Sequence, residues 1–211
     1  LRVVGGGLLT SMPHDIMAMI PEIELGVVGE AYVTFPEVLS RIDQNDQNWG
    51  DVLGVIHRES SGKVRLTPPR PLVENIDSLP FPAWDLFPLD IYWKNSSLLY
   101  SEEAFTSKQR LDINASYGCS LICRFCFHLG ITGDMQYVDG PDGLDVAFTY
   151  DRNIRWHSPQ YVVDMVKHAR DEFGVDFVLF IDENMMTMNA HSGWTWLPEI
   201  ADLWIKEGLQ P

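Results

Sequence analysis

Apolar residues along this chain alternate between short runs of strand character and stretches spaced three and four apart. Residues 1–4 read as a strand that closes in a glycine turn at Gly5 and Gly6, with a short helix after it. Leu25, Val27 and Val28 form a second apolar run, closed by Gly29 and Glu30, and Val38, Leu39 and Ile42 then take up helical spacing. Strand, turn and helix written twice in succession is the back half of a doubly wound α/β domain.

Residues 52–56 and 63–66, separated by Glu59-Ser-Ser-Gly62, read as a β-hairpin. A strap rich in proline and aromatic residues follows over 68–88. Its prolines hold it extended, and Trp84 and Phe87 are expected to be buried against neighbouring structure. A proline-rich recognition peptide is the other reading of this segment, and those two aromatics weigh against it.

Beyond the strap, residues 112–116 form a short strand. Ser158 is a good N-cap with Pro159 at the first helical position, and Val162, Val166, Ala169 and Phe173 make one apolar face that Gly174 terminates. Residues 177–181 are an unbroken apolar run of the kind a strand buried on both faces shows. A last helix fits 194–206, with Leu197, Ile200, Ala201 and Trp204 on one face. Strand, loop, helix and strand begin a (β/α) barrel. The expected organisation is therefore 1–45 as the end of a doubly wound domain, 46–110 as hairpin and connector, and 111–211 as the first, incomplete units of a barrel. Opening at Leu1 in mid-strand and stopping after two barrel units, the chain reads as an internal fragment of a longer protein, inactive by itself.

Thirty acidic against fifteen basic residues give a net charge of −15. A nucleic-acid surface needs a basic patch to contact phosphates, so charge argues against that class of partner. No apolar stretch approaches the roughly 20 residues that cross a bilayer. His14, His57, His157, His168 and His191 lack ligand-like spacing and read as structural or surface residues. Arg155 faces either a ligand or the surface, and the Asp- and Gly-rich stretch 133–151 reads as a loop bordering the site.

The chemistry is concentrated in three cysteines, all that the chain has: Cys119, Cys123 and Cys126, spaced CxxxCxxC just after the 112–116 strand. Thiolates bind soft metals, and three so close can hold one centre while leaving it one ligand short. An odd count in a tight spacing disfavours disulfides and suits a reducing, cytoplasmic setting. A structural zinc site remains open, because His128 could complete a Cys₃His set, although four ligands would then crowd into ten residues. Downstream, the apolar run 177–181 ends in Asp182, Glu183 and Asn184. Ligands bind at the carboxyl end of strands in parallel α/β architectures, and a helix N-cap is the alternative role for any one of the three.

With Phe125 as the aromatic before its last cysteine, the segment resembles the radical S-adenosylmethionine superfamily. The resemblance implies a [4Fe-4S] cluster on Cys119, Cys123 and Cys126, with the amino and carboxylate groups of S-adenosylmethionine on the open iron. It further implies Phe125 near the adenine, and Asp182, Glu183 and Asn184 at the methionine moiety. Reductive cleavage would then yield a 5′-deoxyadenosyl radical, with flavodoxin or ferredoxin as electron donor.

The Val-Val-Gly-Gly strand end, the Val-Val-Gly-Glu turn at 27–30 and the Asp-Ser-Leu-Pro-Phe-Pro strap at 77–82 are similar to the subgroup that carries a cobalamin-binding domain before the barrel. That likeness implies a Rossmann-like cobalamin-binding domain, with Gly5, Gly6 and Thr10 at the nucleotide tail of cobalamin and Gly29 and Glu30 in the next turn. The Asp-x-His-x-x-Gly motif of axial-histidine cobalamin domains is absent from the chain. The implied activity is methyl transfer to an unactivated carbon of a small molecule or peptide, with ring rearrangement or cyclisation as the alternative within the subgroup. A non-catalytic zinc module is the alternative outside it.

Overall fold

The computed structural model describes residues 1–95, 107–121, 123, 135–141, 143–148 and 153–209. They form two compact units, Leu1–Glu74 with Gly118–Ile154, and Asn75–Tyr117 with Arg155–Pro211.

The first unit is built on a four-stranded sheet in the order β1 (Val3–Val4), β2 (Leu25–Val27), β3 (Val55–Arg58), β4 (Val64–Leu66). The first two strands are parallel, and the other pairings are antiparallel. Successive residues of a strand point to opposite faces, so Ile56 and Val55 enter different cores. Ile56 joins Leu9, Ile16, Met17, Ile23, Val28 and Leu66, beneath α1 (Gly7–Ser11) and α2 (Pro13–Met19). Val55 joins Leu25, Val38, Trp49 and Val52 on the side of α3 (Ala31–Asp43).

Two expectations change here. The hairpin begins at Val55 rather than Val52, because residues 51–54 turn, with Gly54 at φ 72° and Val52 N donating to Trp49 O. Val52 is fully buried all the same, so its apolar character marks core rather than strand. The hairpin also pairs with β2 and thus extends the sheet instead of standing in a connector. The stretch read as a loop bordering the site contains an antiparallel pair, β7 (Met135–Gly140) and β8 (Gly143–Phe148). Tyr137, Leu144 and Val146 pack on the Leu9 core, and His14 Nε2 lies 2.7 Å from Leu144 O.

In the second unit, β5 (Arg110–Ile113) and β10 (Phe177–Phe180) run parallel, with Arg110 opposite Phe177 and Ile113 opposite Phe180. A short antiparallel pair joins β6 (Ser116–Tyr117) to β9 (Arg155–Trp156). The single strand expected over 112–116 is thus two strands broken at Asn114 and Ala115. Among the described residues β5 is the sheet partner of β10, and β10 is half-buried rather than enclosed on both faces.

Helix α5 (Pro159–Phe173) carries the expected punctuation. Ser158 Oγ accepts from Tyr161 N at 3.2 Å, and Gly174 ends the helix at φ 71°. Val162, Val163, Met165, Val166 and Ala169 form its buried face. Its outer aromatics take the strap: Phe81 meets Tyr161 edge-on at 5.0 Å, and Trp84 lies 6.0 Å from the His168 ring and 5.9 Å from Phe173. Trp84 is buried as expected. Phe87 is not: it is 55% exposed, directly after the turn at Trp84–Leu86. The strap continues into α4 (Leu89–Asn95), where Trp93 Nε1 donates to Arg110 O.

After β10 comes a short helix that apolar periodicity did not reveal, α6 (Met185–His191). The last helix, α7 (Trp196–Lys206), starts two residues later than expected, with Trp194 at φ 69° outside it and Trp196 buried. Among the described residues no helix is long and apolar enough to cross a membrane.

Candidate functional site

The carboxyl ends of β5 and β10 bring the polar trio of the second unit to one sheet edge. Asp182 accepts from Ala115 N at 3.1 and 3.2 Å and from Ser116 Oγ, so its carboxylate ties the β5–β6 break to the end of β10. Burial pushes this carboxyl up from the ordinary range, against the opposing hydrogen bonds from Ser116 and Ala115. Asn184 is the N-cap of α6, its side-chain oxygen accepting from Thr187 N at 3.2 Å. Glu183, half-buried, lies between these two.

A second cluster near this edge was not singled out from sequence. Asp77 of the strap accepts from Ser158 N at 3.0 and 3.2 Å and lies 2.9 Å from His157 Nδ1. The His157 ring stacks on Tyr161 at 4.0 Å, its backbone N donates to Ala115 O, and Trp196 Nε1 donates to its carbonyl. Burial lowers the His157 pKa, and Asp77 only partly offsets it. Burial also works to raise Asp77, but the hydrogen bonds from Ser158 and His157 outweigh it and hold that carboxyl below the usual range. The signal available in sequence was the strap's acidic Asp77 together with a histidine immediately before an N-cap serine. Arg155 lies on β9 with its guanidinium 5.6 Å from the Tyr117 ring centroid.

The cysteine segment follows Tyr117 along the chain and belongs to the first unit. Cys119 and Cys123 are free, half-buried thiols, and Leu121 N points at Cys119 Sγ from 3.4 Å. Backbone amides are aimed at sulfur in this way around metal-bound cysteines. Phe125, Cys126 and His128 lie outside the described residues. Among the described residues no three His, Cys, Asp or Glu side chains gather as a metal site.

At the carboxyl ends of β1 and β2 the expected glycines sit side by side. Gly29 N donates to the buried Thr10 Oγ1 at 3.1 Å, joining the two turns. Gly6 and Gly29 have φ of 116° and 82°, and a Cβ on either would meet nothing within 4 Å. The backbone there is accessible, and a side chain is disfavoured by conformation alone. Glu30 Oε2 accepts from Val73 N at 3.2 Å, which anchors the start of the strap.

No family model matches the chain. In fold it is similar over 97% of its length to a radical S-adenosylmethionine methyltransferase, TsrM, of Kitasatospora setae, solved with tryptophan substrate and a S-adenosylmethionine analog. The TM-score is 0.60 at 17% identity, and 33% of that chain is covered. It is similar, again over 97%, to the cobalamin-dependent S-adenosylmethionine radical enzyme OxsB, with TM-score 0.58, 15% identity and 24% of that chain covered. In sequence it is 28% identical over 187 residues to an uncharacterized methyltransferase of Pyrococcus horikoshii, covering 89% of this chain and 34% of that protein. It is 24% identical over 193 residues to cytidylyl-2-hydroxyethylphosphonate methyltransferase of Streptomyces wedmorensis, covering 82% of this chain and 32% of that protein. The chain thus has the mixed α/β fold of cobalamin-dependent radical S-adenosylmethionine enzymes and is related to methyltransferases. It spans about a third of the length of these curated relatives.

Proposed function

We propose that this chain is part of a cobalamin-dependent radical S-adenosylmethionine enzyme that transfers a methyl group to an unactivated carbon. The observation that carries the proposal is the CxxxCxxC segment, with two free, half-buried thiols and an amide directed at the first, leaving β6 in a fold shared with such enzymes. Soft thiolate donors with no disulfide between Cys119 and Cys123 fit an iron–sulfur cluster. Cys119, Cys123 and Cys126 would hold it, and once bound it supplies the single electron that cleaves S-adenosylmethionine, while cobalamin supplies a methyl carrier.

The chain's own residues then divide the work at the strand edge. Asp182 holds the ends of β5 and β10 together, Asn184 starts α6, and Glu183 would accept a hydrogen bond from the amino group of S-adenosylmethionine. By the same resemblance Phe125 would border the adenine. At the other edge, the open backbone of Gly5, Gly6 and Gly29, joined through Thr10, admits the nucleotide tail of cobalamin, with Glu30 in the same turn. Flavodoxin or ferredoxin is the expected electron donor, and the methyl acceptor is a small molecule or peptide.

The test is anaerobic iron–sulfur reconstitution of the full-length protein, followed by electron paramagnetic resonance with and without S-adenosylmethionine. The expected result is a reduced-cluster signal that shifts on addition of S-adenosylmethionine, and a weaker shift for Glu183→Gln. A colourless protein that binds zinc and loses it on His128→Ala would overturn the proposal, as would a cluster indifferent to S-adenosylmethionine.

A further inference from the structure

We infer that Gly118 is a positioning residue for the first cysteine, leading the chain past the backbone of residues 153–154 at a separation that no side chain permits. The inference deepens the proposed function and rests on Cys119 being a cluster ligand. Gly118 directly precedes Cys119 and has φ +94°. A Cβ built on it would lie 2.4 Å from the carbonyl oxygen of Asn153, 3.2 Å from that carbonyl carbon and 3.3 Å from Ile154 Cα. All three are backbone atoms, which cannot swing aside as the end of a side chain can.

Other glycines in the chain separate the two effects. Gly62 has a similar φ, +85°, yet a Cβ there would meet nothing within 4 Å, so substitution brings strain alone. Gly26 is crowded, with approaches of 2.7 and 2.8 Å, but by the side chains of Leu9 and Ile56. Gly118 alone among the described glycines combines a positive φ with a backbone approach below 3.0 Å.

A side chain at 118 must therefore displace either residues 153–154 or the peptide that joins Gly118 to Cys119. One peptide plane beyond, Cys119 Sγ takes its hydrogen bond from Leu121 N. Ligand constellations tolerate displacements of only about 0.5 Å, so the shift reaches the first thiolate before it reaches the fold. Gly118→Ala should leave the protein folded and weaken its hold on iron.

The experiment uses the full-length protein as parent, Gly118→Ala, Gly62→Ala and Cys119→Ala. Iron and acid-labile sulfide per chain are measured after anaerobic reconstitution, iron release to a ferrous chelator is timed, and the metal-free proteins are melted. The expected result is that Gly118→Ala melts like Gly62→Ala but releases iron about tenfold faster than the parent, the scale of loss seen when residues supporting a metal's ligands are changed. Gly62→Ala should hold iron like the parent. Parent-like iron content and release in Gly118→Ala would overturn the inference and leave the cluster reading intact. A Gly118→Ala protein without a cooperative melt would also overturn it, by assigning the glycine to the fold. Equal failure of the parent and Cys119→Ala to take up iron would remove the cluster reading and the inference with it.

Discussion

Replacing Asp77 with alanine should loosen the strap from α5 by an amount that the geometry sets. The carboxylate accepts from Ser158 N at 3.0 Å and from His157 Nδ1 at 2.9 Å, and its side chain is 30% exposed. Hydrogen bonds to charged groups contribute about 1.5–3 kcal/mol each, and removal leaves a buried imidazole and the N-cap residue's N–H without an acceptor. Partial exposure places the sum at the lower end, about 2–3 kcal/mol, or roughly 5–10 °C in Tm for a chain of this size. The assay is thermal unfolding of parent and Asp77→Ala over a pH series. Because the folded pKa of Asp77 lies below its ordinary 3.8, its stabilisation is complete above 3.8 and lost as pH falls through the folded value. The gap between the two proteins should therefore be constant at neutral pH and close in strong acid. His157 is coupled to this carboxylate: burial lowers its pKa from 6.5 and Asp77 partly offsets that, so both proteins should lose stability as pH falls below about 6.5, the variant more than the parent. A gap under 0.5 kcal/mol at pH 7, or one that stays open in strong acid, would refute the reasoning.

Trp84→Ala removes a 6% exposed indole from the His168 and Phe173 rings and should cost about 3 kcal/mol in urea unfolding; a loss under 1 kcal/mol would show that the strap does not depend on this anchor. Gly26→Ala forces a methyl against Leu9 and Ile56 and should destabilise by about 1–3 kcal/mol, an effect that truncating Leu9 to Ala in the same chain should partly relieve. Tyr137, pushed up to about 12 by burial against the first core, should ionise late in an ultraviolet titration compared with Tyr137→Phe. Its stabilisation should be complete below pH 10 and lost as pH rises through 12; ionisation near 10 would place the ring in solvent.

Most of the architecture was legible because local signals agreed with tertiary demand. Ser158, Pro159 and Gly174 bound α5 where capping chemistry puts them, and the apolar run after Asp176 became β10. The misreadings have separate causes. Val52 and Phe87 are both large and apolar, and neither pattern nor composition distinguishes a core turn from a strand, or an exposed ring from a buried one. Strands β7 and β8 lie in a stretch whose Asp and Gly content signals a loop, while Tyr137, Leu144 and Val146 are the residues that pack on the core. Helix α6 was hidden because its seven residues are too few to show a period, and its sequence signal, Asn184, is equally consistent with a ligand-facing residue or an N-cap.

That last case shows how one polar trio serves several ends. A carboxyl end of a strand exposes backbone carbonyls and starts the next element, so the polar residues gathered there are claimed first by the fold. Asp182 is claimed by Ala115 and Ser116, and Asn184 by Thr187. The bonds of Asp182 to Ala115 N and Ser116 Oγ fix where β6 begins. Two residues beyond Ser116 the chain reaches Gly118, and with the next residue it reaches Cys119. The same edge carries Glu183 between its two anchored neighbours, Asp182 and Asn184. Sequence patterning points to such an edge, and hydrogen-bond geometry shows which of its residues build it.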